Sequence, residues 1–177
     1  MTGVRVRPQA VNRSIDDGFG DSVTGQKPVF LPITPGVWAN QSCTSCAIQP
    51  PTSDAFDNTY TAATYHPALD NISITFDFTG TAVYIFFILV NRPANQVTAT
   101  TAVNFTLDGS LIGNFNHSPN STLPEFQFNA NALAFSTTGL KNASHRMVIS
   151  ASSPRESIFV NFDYALYTCA VSKLKSI

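Results

Sequence analysis

The stretch Ile72-Ser-Ile-Thr-Phe-Asp-Phe-Thr-Gly-Thr-Ala-Val-Tyr-Ile-Phe-Phe-Ile-Leu-Val90 decides the fold class. Ile72, Ile74, Phe76 and Phe78 alternate with Ser73, Thr75 and Asp77, the period-2 signature of a half-buried strand. Gly80 is expected to turn the chain. Ala82 to Val90 is apolar without alternation and rich in β-branched and aromatic residues, which predicts a strand covered on both faces. At nine residues this run is far short of the roughly 20 that a membrane-spanning helix needs.

The same pattern extends outward. Val103, Phe105 and Leu107 point one way, Asn104 and Thr106 the other, and Asp108-Gly109 supplies a hairpin turn before Leu111, Gly113 and Phe115. Further strands are expected at residues 125–128, 132–135, 145–150 and 158–167, with looser short strands near 29–31 and 37–39. Pro and Gly are spread evenly, no segment repeats, and no linker block appears. The prediction is one domain over residues 14–169, with a flexible tail at 1–13 and another at 170–177. Its class is all-β with little helix: an antiparallel β-sandwich or jelly roll whose ends lie close together.

Charged residues make up 12% of the 177, about half the roughly 25% of an ordinary soluble domain. The 17 Ser, 19 Thr and 14 Asn replace them, and the 44% hydrophobic content excludes a disordered chain. The net charge of −1 hides an asymmetry: between residues 14 and 172 five basic residues face all 11 acids, a net of −6. An acidic body excludes a nucleic-acid reader, which needs a basic stripe. Residues 1–11 show no signal-peptide pattern. Asn-X-Ser/Thr sequons start at Asn12, Asn40, Asn71, Asn104, Asn116, Asn120 and Asn142. Seven exceeds the about three that this composition gives by chance, so a glycoprotein that is secreted or on the cell surface is expected.

Ordered motifs run through most of the chain: Ile15-Asp-Asp-Gly-Phe-Gly-Asp-Ser-Val-Thr-Gly25, Trp38 followed by Cys43-Thr-Ser-Cys46, Thr64-Tyr-His66, Phe78-Thr-Gly-Thr-Ala-Val-Tyr84, Phe105-Thr-Leu-Asp-Gly109, Leu140-Lys-Asn-Ala-Ser-His145 and Phe162-Asp-Tyr-Ala-Leu-Tyr-Thr168. Over residues 15–168 this order resembles the secreted or membrane-anchored jelly-roll ectodomains of mushroom-forming fungi, most of which have no assigned activity. Members often carry Trp where Tyr65 stands and Asp where Pro67 stands. The resemblance implies a galactose-binding-like jelly roll and an extracellular setting, and structural calcium is common in related folds.

Cys43 and Cys46 read as a small-loop disulfide; a redox pair would need a βαβ setting and a zinc site a second ligand pair. Cys169 is left over, either buried and inert or bridging to another chain. Asp16, Asp17 and Asp21, flexed by Gly18 and Gly20, are the oxygen set that would suit calcium; the alternative is that they accept turn hydrogen bonds. No other cofactor is expected. Asp163 stands alone among aromatics and makes no carboxyl pair for glycoside hydrolysis. His66, His117 and His145 lack ligand spacing and read as hydrogen-bonded loop-end residues.

The leading expectation is a non-catalytic carbohydrate-binding or cell-wall-recognition module, lectin-like, with polysaccharide as partner. The rivals are an adhesion ectodomain without a small ligand and a polysaccharide-active enzyme. The site is expected on loops at one end of the sandwich, since rigid scaffolds carry binding groups on loops. Trp38, Tyr60, Tyr65 and His66 are its candidates, with Asp54, Asp57 and Asn58 as hydroxyl acceptors. Trp38, the only Trp, has a core reading beside the binding one.

Overall fold

The alternating run of Ile72, Ile74, Phe76 and Phe78 forms the first half of a strand that does not stop at Gly80 but continues to Phe87. The computed structural model describes residues 8–67, 71–151 and 155–172. Twelve strands are defined among them: β1 (Pro8–Asp16), β2 (Gly20–Asp21), β3 (Val29–Leu31), β4 (Trp38–Asn40), β5 (Thr61–Tyr65), β6 (Ser73–Phe87), β7 (Leu89–Val90), β8 (Thr101–Leu107), β9 (Ser110–His117), β10 (Phe126–Gln127), β11 (Leu133–Ala151) and β12 (Ile158–Ser172). Helix is confined to three short turns, at Thr52–Asp54, Phe56–Asn58 and Asn129–Ala132. The fold is therefore all-β with 56% strand and 6% helix, which leaves no element that could cross a membrane as a helix among the described residues.

The three longest strands serve two layers. The first halves of β6 and second half of β11 pair with each other, flanked by β3 on one side and by β8 and β9 on the other. Beyond Gly80 the continuation of β6 pairs with the start of β11 and with β12, which carries β1 and β5 along its far edge, and β4 pairs with β5. All pairings are antiparallel, and register breaks between Thr138 and Ala143 of β11, opposite Gly80. Bulges at such corners let one strand pass from one sheet of a sandwich to the other. Gly80 is needed there because a Cβ would meet the Thr168 carbonyl oxygen at 2.5 Å. The expected turn at Gly80 is thus a strand crossing.

Between the layers lie Ile72, Ile74, Phe76 and Phe78 from one sheet and Val83, Ile85, Phe87, Val160 and Phe162 from the other, all buried. The Phe76 and Phe162 rings meet across the interface at 6.0 Å between centroids. The hairpin at Asp108-Gly109 joins β8 to β9 as expected, both residues at positive φ.

The tail boundaries need correction. Residues 8–13 and 170–172 are strand: Pro8 to Asp16 pairs with Ser172 to Tyr164 without interruption. Ile15 enters the core and Val11, half-buried, pairs with Cys169, so the pairing extends the ladder past the expected domain edge. It also brings the two ends of the domain side by side, as expected. The remainder of both tails, residues 1–7 and 173–177, lies outside the described residues.

Candidate functional site

Alternation along β5 and β12 separates a core face from an outer face. Ala63 and Tyr65 of β5 and Val160 and Phe162 of β12 belong to the core. The intervening Ala62, Thr64 and Phe159 face outward and floor a cleft of about 700 Å³. Its walls are the Thr34–Val37 segment, the Cys43–Cys46 loop with Ala47 and Ile48, and the Gln96–Thr98 segment; Tyr60 and His66 also line it. The cleft is mainly apolar with a few convergent hydroxyl, amide and imidazole groups, the usual composition of a small-ligand site.

The Cys43–Cys46 disulfide is formed and builds one wall. The Gln49 amide ties the same loop down by donating to the Thr44 and Cys46 carbonyls at 3.0 and 2.8 Å. His66 holds Ser157 through Nδ1 and Oγ at 2.8 Å, at an exposed position.

Two of the expected binding residues, Tyr60 and His66, are brought to the cleft. Tyr60 is only 5% exposed and packs with Ala55 and Ile88, so it contributes an edge and not a stacking platform. Tyr65 is buried and does not line the cleft. It faces the core beside Ile158, because it falls on the same phase of β5 as Ala63. Trp38 follows its core reading: it packs against Phe30 at 5.0 Å between centroids, and its Nε1–H donates to the Leu31 carbonyl at 3.1 Å. Asp54, Asp57 and Asn58 are exposed on the helical turns before β5, with Asp57 and Asn58 at positive φ, and none of the three lines the cleft.

Asn161 was not legible as a site residue. It stands opposite Ala62 and two residues from Phe159, in strand phase with them but not itself lining the cleft; it is 1% exposed and neither its Oδ1 nor its Nδ2 has a partner. Buried amides are nearly always hydrogen-bonded, and leaving one unsatisfied costs about 1–3 kcal/mol. The available signal was the phase of Phe159, Asn161 and Asp163 against Val160 and Phe162.

Asp16, Asp17 and Asp21 are held by hydrogen bonds to nearby amides and hydroxyls. Asp16 Oδ1 accepts from the Gly18 and Phe19 amides and, at 3.1 Å, from the Thr59 hydroxyl. Asp21 Oδ1 accepts from the Val23 and Thr24 amides at 2.8 and 2.7 Å. Asp17 accepts from the Thr61 hydroxyl. The amide bonds of Asp16 and Asp21 are the turn bonds of the alternative reading, and no group of three His, Cys, Asp or Glu among the described residues is placed to hold a metal ion.

Of the sequon asparagines, Asn12, Asn40, Asn71, Asn116, Asn120 and Asn142 are exposed and Asn104 is half-buried. Cys169 is half-buried, with its Sγ 3.6 Å from the Val11 carbonyl. His117 and His145 are hydrogen-bonded to Asn91 and Asp108, away from the cleft.

No family model and no curated protein matches the chain. Among solved structures it is similar to a family 35 carbohydrate-binding module from Clostridium thermocellum, 10% identical, over 89% of this chain and 96% of that one, with a TM-score of 0.49. It is also similar to the Agl-KA catalytic domain, 12% identical with a TM-score of 0.45, covering all of this chain and 31% of that one. A GH87 alpha-1,3-glucanase catalytic domain in complex with nigerose matches at 12% identity and a TM-score of 0.40, over 97% of this chain and 30% of that one. Scores this low leave the function open.

Proposed function

We propose that the chain is a secreted or cell-surface, non-catalytic carbohydrate-binding module and that its site is the cleft over β5 and β12. The observation that carries this reading is the cleft itself, with an apolar floor of Ala62 and Phe159, a wall built by the disulfide loop, and hydroxyl, amide and imidazole groups around it. A sugar residue suits such a site: hydroxyls that both donate and accept meet its polar groups, and C–H faces pack on its apolar floor. Thr34, Thr64, Thr98 and His66 stand around the same space as further polar partners.

A hydrolase reading has less support. Glycoside hydrolysis needs two carboxyls flanking the bond, and no Asp or Glu is among the cleft-lining residues. The extracellular setting is supported by the formed Cys43–Cys46 bridge and by the absence of any fully buried sequon asparagine.

The test is a polysaccharide retention screen by affinity electrophoresis over fungal and plant cell-wall glucans, mannans, xylans and galactans, run with and without chelator. Saturable retention on at least one polymer, unchanged by chelator, is expected. Absence of retention on every polymer overturns the reading.

A further inference from the structure

The cleft over β5 and β12 presents no carboxylate, ammonium or guanidinium group: among the described residues, no Asp, Glu, Lys or Arg lines it. Its polar side chains are hydroxyls, amides and one imidazole, among them Thr64 on the floor, Thr34, Gln96 and Thr98 on the walls, and His66. The imidazole is held in place, with His66 Nδ1 engaged by Ser157 Oγ at 2.8 Å, which leaves Nε2 to meet a ligand. Arg155 and Glu156, which precede Ser157, do not line the cleft, and each has an interaction of its own. The body around the cleft is acidic: between residues 14 and 172 five basic residues face 11 acids, a net of −6.

A charged group that leaves water for a mainly apolar cleft must find an opposite charge there, or its lost hydration is not made good. A uronate or a sulfate would meet no cation on these walls, and a free amino sugar no carboxylate. Hydroxyl and N-acetyl groups need only neutral donors and acceptors, and those are present. A site discriminates by leaving the wrong ligand's groups unmet as well as by its contacts to the right one. We propose that the cleft selects uncharged glycans, that is neutral hexose, pentose or N-acetylhexosamine polymers, and rejects uronates, sulfated polymers and free amino sugars. The inference rests on the cleft being a carbohydrate site and narrows what it takes.

The test begins with retention on polymer-coupled beads carrying neutral glucan, mannan, xylan, galactan or chitin, or the charged polygalacturonate or chitosan. It then compares two derivatives of the neutral polymer that binds best, carboxymethylated and hydroxyethylated. Both add similar bulk to the same hydroxyls, and only carboxymethylation adds charge. Binding is measured at about pH 8, above the usual titration range of an imidazole. It is repeated in about 0.5 M salt, which screens exposed charges beyond a few ångströms. The proposal predicts wild-type retention on the hydroxyethylated form and retention weaker by about tenfold or more on the carboxymethylated one, at both salt concentrations. Thr64→Lys, which places a cation on the floor, is expected to gain retention on the carboxymethylated form; Thr98→Lys makes the same test from the wall if Thr64→Lys fails to fold. Equal wild-type retention on the two derivatives overturns the proposal. So does a loss on the carboxymethylated form that vanishes in salt, since repulsion by the acidic body would then account for it. A folded lysine variant that gains nothing also overturns it. Retention on polygalacturonate or chitosan alone overturns this inference and leaves the cleft a carbohydrate site, whereas retention on no polymer overturns both.

Discussion

Asn161 stands directly opposite Ala62 in the ladder between β12 and β5, with the Ala62 methyl on the cleft floor and the Asn161 amide beside it unpartnered. A buried polar group kept without an internal partner lowers stability, and this one is paired in the ladder with a residue of the cleft floor.

Replacing Asn161 by Leu should separate the two. Removing a buried, unsatisfied amide is expected to stabilise the fold by about 1–3 kcal/mol, and polysaccharide retention should drop about tenfold or more. Chemical denaturation and affinity electrophoresis on one preparation check both. Unchanged retention in a stabilised variant would mean that the amide serves no ligand.

Tyr65→Ala should behave in the opposite way. Tyr65 is 7% exposed within the main core, so truncation should cost about 3–5 kcal/mol, the range for buried aromatic side chains. Retention per folded molecule should be unchanged when measured well below the melting transition.

The strand pattern made much of this fold legible. Ile72 to Phe78 and Val103 to Leu107 alternate because one face of each meets the core, and Asp108-Gly109 marks a turn that needs positive φ at both positions. What the pattern hid was continuity: Gly80 carries β6 through a corner, and β11 runs from Leu133 to Ala151 as one strand where two were expected. In β5 the two phases, Tyr60-Ala62-Thr64 and Thr61-Ala63-Tyr65, are equally mixed in polarity, so the sequence alone does not tell the cleft face from the core face. That ambiguity is why Tyr65 reads as a contact. The backbone contact of Asp17 with Asp163 was hidden for a different reason, since the two lie 146 positions apart and the β1–β12 pairing brings them together.

His145 provides a pH test. Its Nδ1 lies 2.7 Å from Asp108 Oδ2 and its Nε2 lies 2.8 Å from the Lys141 carbonyl. Making both bonds requires hydrogen on both nitrogens, which is the imidazolium form. Burial pulls its pKa down, but the bonds to Asp108 and to the Lys141 carbonyl outweigh it, and the net direction is up from 6.5. Its stabilising contribution is therefore complete below 6.5 and is lost as pH rises through the raised value. NMR titration of the ring should place His145 above 6.5, and His145→Gln should flatten the decline in melting temperature above that pH. A midpoint at or below 6.5 would mean that one of the two bonds is absent.

The most direct measurement is retention of wild type and Ala62→Trp on whichever polysaccharide retains the wild type. The indole would fill the cleft from its floor, while the core side of β5, carried by Ala63 and Tyr65, stays as it is. The account predicts a folded Ala62→Trp protein, with a melting temperature close to wild type, that no longer binds. Retention of Ala62→Trp equal to wild type would contradict it and place carbohydrate binding outside the cleft.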